Sequence, residues 1–104
     1  MADQQRWIEV PYGLRVAQDC MHLEENPDEV RVLLQILEGI VQDQPMSAIA
    51  QALNQGGNLM RSLEPWTQSA VFELLPRLID FGPHLFSREE WVERRKKLRL
   101  QLAG

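Results

Sequence analysis

The stretch "NPDEVRVLLQILEGIVQD", Asn26 to Asp43, decides the fold. Asn26 offers a side-chain oxygen to the unpaired N–H groups at a helix start, Pro27 suits the first helical position, and Asp28 and Glu29 put negative charge at the positive end of the dipole. Val30, Leu33, Leu34, Leu37, Ile40 and Val41 then recur at spacings of three and four, along one broad face. Residues 27–43 are therefore predicted as a long helix with that face in the core. Gly39 lowers its stability, and Pro45 closes the connection that follows.

Downstream, Ser47 in "MSAIAQALNQGG" opens a shorter helix, 47–55, with Ile49, Ala50 and Leu53 inward and Gly56-Gly57 as its stop. From "EPWTQSAVFELLPR", Glu64 to Arg77, the apolar positions Trp66, Ala70, Val71, Leu74, Leu75 and, just beyond it, Leu78 predict a helix over 66–75 that Pro76 ends or kinks. "FGPHLF" is expected to be a loop. In "SREEWVERRKKLRLQLA", Ser87 and Glu90 have capping-box spacing, which starts a last helix, 87–102, with acidic first turns and basic later ones. Trp91, Leu98 and Leu102 give it a narrow apolar edge. Upstream, Ile8, Val10, Tyr12, Leu14 and Val16 alternate as in a half-buried strand, interrupted by Pro11 and Gly13. Met21 to Leu23 is expected to pair with Leu14 to Ala17 across "QDC", a hairpin within 8–25. The expected class is mainly α: a helix-turn-helix bundle of about four helices with a short N-terminal β-hairpin, in one domain spanning 1–104.

A chain of 104 residues, 44% hydrophobic and 25% charged, suffices for one modest core. No apolar run approaches the roughly 20 residues of a membrane span. The single cysteine, Cys20, has no internal partner, and no basic start leads into an apolar run, so a cytoplasmic protein without membrane contact is expected. The net charge of −4 argues against indiscriminate coating of nucleic acid. It hides a gradient: residues 1–55 hold nine acidic and three basic side chains, residues 56–104 six and eight.

The order of hairpin, long capped helix, short helix, connection and "PWTQSAV" helix resembles the DNA-binding recombinase domain of the large serine recombinases. The likeness rests on "PYGL" at 11–14, "NPDEV" at 26–30, "SAIAQALNQGG" at 47–57 and "WTQSAV" at 66–71. It implies a helix-turn-helix fold with double-stranded DNA as partner. Only ten residues precede "PYGL", where the family carries a catalytic domain with a nucleophilic serine, so the resemblance implies binding without strand cleavage. The chain departs from the family pattern at Phe72, Glu73 and Pro76, positions that are often basic. It also has "RLIDFGPHLF" in place of an asparagine-proline-x-tyrosine-like turn.

As a DNA reader the chain would use Thr67, Gln68 and Ser69 at the start of the "WTQSAV" helix, because glutamine pairs bidentately with adenine and hydroxyls serve any base. Arg77, Arg61, Arg94, Arg95 and Lys97 are the phosphate candidates. The plainer account makes Thr67 a cap and the late arginines and lysines dipole partners paired at helical spacing, Glu90 with Arg94 and Glu93 with Lys97. The alternative function is a protein-interaction domain, pairing with a second copy or another protein through an apolar surface of Phe72, Leu75 and Phe86. Cys20, His22 and His84 lack the doubled spacing of a zinc site, so no metal is expected; Cys20 is expected to be buried and both histidines to lie near the surface. The acidic pairs Glu24-Glu25, Asp28-Glu29 and Glu89-Glu90 sit at or near helix starts, and Gly56-Gly57 has no adjoining lysine. Neither catalysis nor a cofactor is expected. Trp66 and Trp91 read as core, and Trp7 as the tryptophan most open to a partner.

Overall fold

The computed structural model describes residues 10–103 of the chain. Strands β1 (Leu14–Val16) and β2 (Leu23–Glu25) pair antiparallel, with Leu14 opposite Glu25 and Val16 opposite Leu23. The second strand begins at Leu23 and not at Met21. Asp19 Oδ1 accepts the N–H groups of Met21 and His22 at 2.9 and 3.1 Å, which keeps both residues in the turn. Ile8 and Trp7 lie outside the described residues.

Five helices follow among the described residues: α1 (Pro27–Val41), α2 (Met46–Gln55), α3 (Gln68–Glu73), α4 (Leu75–Leu85) and α5 (Arg88–Ala103). The protein is thus mainly helical, with a two-stranded hairpin on its N-terminal side. Asn26 caps α1 as its sequence predicts, accepting from the N–H groups of Asp28 and Glu29. The buried face of α1 is turned from the one its spacing predicts, since Val30, Leu34 and Val41 are only half-buried. Val32 and Ile36 are buried beside Leu33, Leu37 and Ile40, because α2 and α5 both pack on this helix. Gly39 belongs to that packing: a methyl on it would fall 2.7 Å from Ile49 Cγ1 in α2.

The single helix expected over 66–75 is two helices. The break falls at Leu74, and Pro76 lies in the first turn of α4, where its missing N–H has no intrahelical partner to lose. "FGPHLF" is not a loop either. Helix α4 runs through Phe81 and Gly82 to Leu85 with Pro83 inside it, since burial of Leu75, Leu78 and Phe81 outweighs one lost hydrogen bond near the helix end. Gly82 lets the Trp91 ring lie directly on the α4 backbone; a methyl there would sit well inside van der Waals contact with the indole. Phe86 is stacked with Trp91, with ring centroids 6.4 Å apart and planes inclined by 6°. Ser87 and Glu90 form the capping box of α5, with reciprocal bonds of 3.0 and 3.2 Å. The Ser87 N–H and hydroxyl hold the Glu90 carboxyl below its usual range.

Helix α5 packs on α1 and α4, while α3 packs on α2 and α4. The side chains of Leu33, Ile36, Leu37, Ile40, Ile49, Leu53, Val71, Leu75, Leu78 and Leu98 close the centre. No helix among the described residues is long and apolar enough to cross a membrane.

Candidate recognition surface

Asn54, near the end of α2, sets the position of α3. Its Nδ2 donates to the Trp66 carbonyl at 2.9 Å and its Oδ1 accepts the Trp66 N–H at 2.7 Å, a two-way clamp on one peptide residue. The Trp66 indole is buried, edge-on to Tyr12 at 6.0 Å. Thr67 then caps α3, its Oγ1 accepting the Ala70 N–H at 3.1 Å. Val71 points inward, and Thr67, Gln68 and Ser69 are exposed at the first turn. Gln68, Ser69, Phe72 and Glu73, bordered by Met46 of α2, line a shallow depression. Phe72 stands in it with 45% of its surface exposed. The sequence reading did not include Met46, whose place depends on how α2 meets α3.

The structure does not bring the basic candidates to this surface. Arg61 is engaged in the fold: Nε and Nη2 donate to Oε2 and Oε1 of Glu29 at 2.7 Å each, and Nη1 and Nη2 bond the carbonyls of Val10, Pro11 and Leu14 at 2.7–3.0 Å. Glu29 Oε1 also accepts the Gly13 N–H at 2.8 Å. This clasp fastens the strand turn to the start of α1 and to the connection before α3. The bonds to Glu29 raise the affinity of the Arg61 guanidinium for its proton. Tyr12, whose ring lies 5.2 Å from Arg61 Cζ, has its hydroxyl pushed up from 10.0 to about 12, chiefly by burial and then by the Glu29 charge.

Arg77 donates from Nε to the Tyr12 carbonyl at 2.7 Å and lies 4.9 Å from the centre of the Phe81 ring. Arg94 is half-buried, 4.3 Å over Phe86, with its Nη1 3.3 Å from the Glu90 carbonyl and Nη2 3.9 Å from Glu38. Its pairing with the Glu90 carboxylate is thus replaced by a backbone bond. Lys97 reaches Asp43 after α1, at 2.9 and 3.1 Å, and leaves Glu93 to Lys96 at 3.3 Å. Arg95 is half-buried and, among the described residues, has no ion pair. Arg61 and Arg77 therefore fasten the hairpin, while Arg94 and Lys97 fasten α5 to α1.

No family model, curated protein or solved structure matches the chain.

The apolar set expected at an interaction surface also separates. Leu75 is fully buried in the core because it opens α4 against α3 and is not a surface residue. Phe86 is half-buried between Trp91 and Arg94, and only Phe72 of the three is exposed on α3. Cys20 is exposed and not buried: with φ at 61° in the hairpin turn, its Sγ–H lies 3.7 Å from the Gln18 carbonyl. His22 and His84 are both exposed. His22 Nδ1 is 2.6 Å from Asp19 Oδ2, and the Met21 N–H, the His22 ring and the His22 N–H hold the Asp19 carboxyl below its usual range. Among the described residues no three His, Cys, Asp or Glu side chains converge as metal ligands would.

Proposed function

We propose that this chain is a non-catalytic protein-interaction domain on a recombinase-like helix-turn-helix frame, docking its partner on the outer face of α3. The observation that carries the reading is the chemistry of the α2–α3 unit. Residues 46–74 contain one arginine, Arg61, which is bound to Glu29, against two glutamates, Glu64 and Glu73. Phosphate binding needs free cations where the helix meets the backbone, and a carboxylate beside them opposes it. An exposed phenylalanine ringed by Gln68, Ser69 and Glu73 has instead the composition of a protein-docking site, an aromatic anchor within a polar rim. The lone cysteine supports a cytoplasmic setting.

DNA is the second reading. It is favoured by the exposure of Thr67, Gln68 and Ser69 together at the N-terminal turn of α3, where a groove-reading helix presents its side chains. Arg88, Arg95 and Arg99 of α5, unpaired among the described residues, are the phosphate contacts it would use.

One comparison separates the two. The chain and its Phe72→Asp variant are immobilised and exposed to extract of the source cells at high salt, and the same proteins are titrated against duplex DNA over a salt series. A partner retained by the chain and lost from the variant is the expected result. Duplex binding that weakens with salt and ignores Phe72→Asp, with no retained partner, would replace this reading with the second.

A further inference from the structure

Helix α3 has six residues and one buried side chain, Val71, so its bearing depends on what holds its two ends. Trp66 lies just before the cap Thr67, and Arg77 lies in the first turn of α4, just past the break at Leu74. A single residue of the hairpin meets both. The Tyr12 ring stands edge-on to the Trp66 indole at 6.0 Å, and the Tyr12 carbonyl accepts from Arg77 Nε at 2.7 Å. The turn that carries Tyr12 is itself seated by polar bonds. Between residues 10 and 25 only Gly13 is buried, and the turn is fastened through its N–H and carbonyl groups to Glu29, Arg61 and Arg77. Such bonds exchange for bonds to water at small net cost, whereas buried apolar side chains resist exposure. The seated state also carries a penalty. Trp66 Nε1 is buried without a hydrogen-bond partner, and water satisfies that donor once the indole is uncovered.

Resting on the reading of α3 as a protein-docking surface, we propose that the turn at residues 10–14 is the control element of that surface. Seated, Tyr12 brackets α3, and Phe72 is held facing outward. Lifted, the turn takes its ring from Trp66 and its carbonyl from Arg77. Asn54 still clamps the Trp66 peptide, so the loosening falls on the end of α3 that carries Phe72. A helix this short does not persist once its end constraints are gone. The docking depression is lined by Met46, Gln68, Ser69, Phe72 and Glu73, and the turn contributes nothing to it. Anything that pulls on the hairpin therefore acts on the docking face from outside it.

Native-state amide hydrogen exchange of the full chain, over a series of low denaturant concentrations, tests this without a partner. The amides of Phe72, Glu73 and Leu74 are expected to exchange faster than those of α1 and with a weaker denaturant dependence, because their opening exposes less surface. Two variants then move the turn. Gly13→Ala touches neither end of α3, yet it unseats the turn, because alanine is strained at a φ of 104° and its methyl falls 2.9 Å from Leu33 Cδ1. Arg77→Met keeps an apolar stem over Phe81 and removes the donor to Tyr12. Each is expected to speed the three α3 amides by about tenfold or more, with the weak denaturant dependence retained. Tyr12→Phe, which keeps ring and carbonyl, is expected to leave them at the parent rate. A cooperative melt confirms that each variant is folded. Parent rates at these amides in Gly13→Ala would overturn the proposal. So would a denaturant dependence equal to that of α1, since α3 would then open only with the whole domain. Faster α3 exchange in both variants, from a chain that retains no partner through Phe72, leaves the coupling standing and removes the docking reading.

Discussion

Replacing Arg61 by alanine separates its structural role from a nucleic-acid role. Glu29 has only 12% of its side chain exposed and Arg61 has 41%, so the substitution leaves a nearly buried carboxylate whose remaining partner is the Gly13 N–H. Stranding a buried charge costs about 3–5 kcal/mol, and solvent access on the arginine side reduces this, giving a loss of about 2–4 kcal/mol. For a domain of this size that corresponds to a fall in Tm of roughly 10–25 °C. Arg61→Lys recovers little, because one ammonium cannot span both carboxylate oxygens and three carbonyls. Chemical denaturation of the chain, Arg61→Ala, Glu29→Gln and the double variant measures the coupling directly. A loss below about 0.5 kcal/mol for Arg61→Ala, the level of an ordinary surface change, would refute the clasp as a determinant of stability.

Gly82→Ala is expected to destabilise by about 1–3 kcal/mol despite the better helix propensity of alanine, because the added methyl overlaps the ring of the buried Trp91; a thermal melt unchanged from that of the parent chain contradicts this. The chain has one tyrosine, so its tyrosinate absorbance reports Tyr12 alone, and the midpoint is expected near about 12 in the folded protein and near 10.0 in denaturant. The sign follows from linkage: a pKa raised in the folded state contributes stability that is intact below 10.0 and is lost as pH rises through about 12. Equal midpoints in the two states would mean that the hydroxyl is not buried as described.

What was legible in the sequence depended on local signals. Asn26, Pro27 and the acidic first turn place α1 because capping and dipole effects act within one turn, and the Ser87–Glu90 box places α5 for the same reason. Pro76 misled, since a proline that ends one helix is equally suited to begin the next, and only the burial of Leu75 and Leu78 decides between the two. The candidate site was less legible than the fold. Phe72 and Glu73 stood out as departures from a DNA-reading pattern, but the partners of the basic residues did not. Arg61 meets Glu29 across 32 positions and Arg77 meets Tyr12 across 65, pairings that no periodicity encodes. A side chain's charge is written in its identity, whereas the group that neutralises it is a product of the packing.

The hold of Asn54 on Trp66 has a consequence for how this chain tolerates change. Helix α3 is oriented by a side chain reaching across from α2, and the covalent path between them is not what aims it. The tip of that path, Ser62 and Leu63, is exposed, lies after the anchored Arg61 and before the clamp, and holds Leu63 at a φ of 67°. The Met60 N–H bonds the Glu64 carbonyl at 2.9 Å at the base of this tip, so residues inserted beyond that bond leave the face that Phe72 presents unturned. The segment is a natural graft point, and the loop can diversify while the face that carries Phe72 keeps its aim.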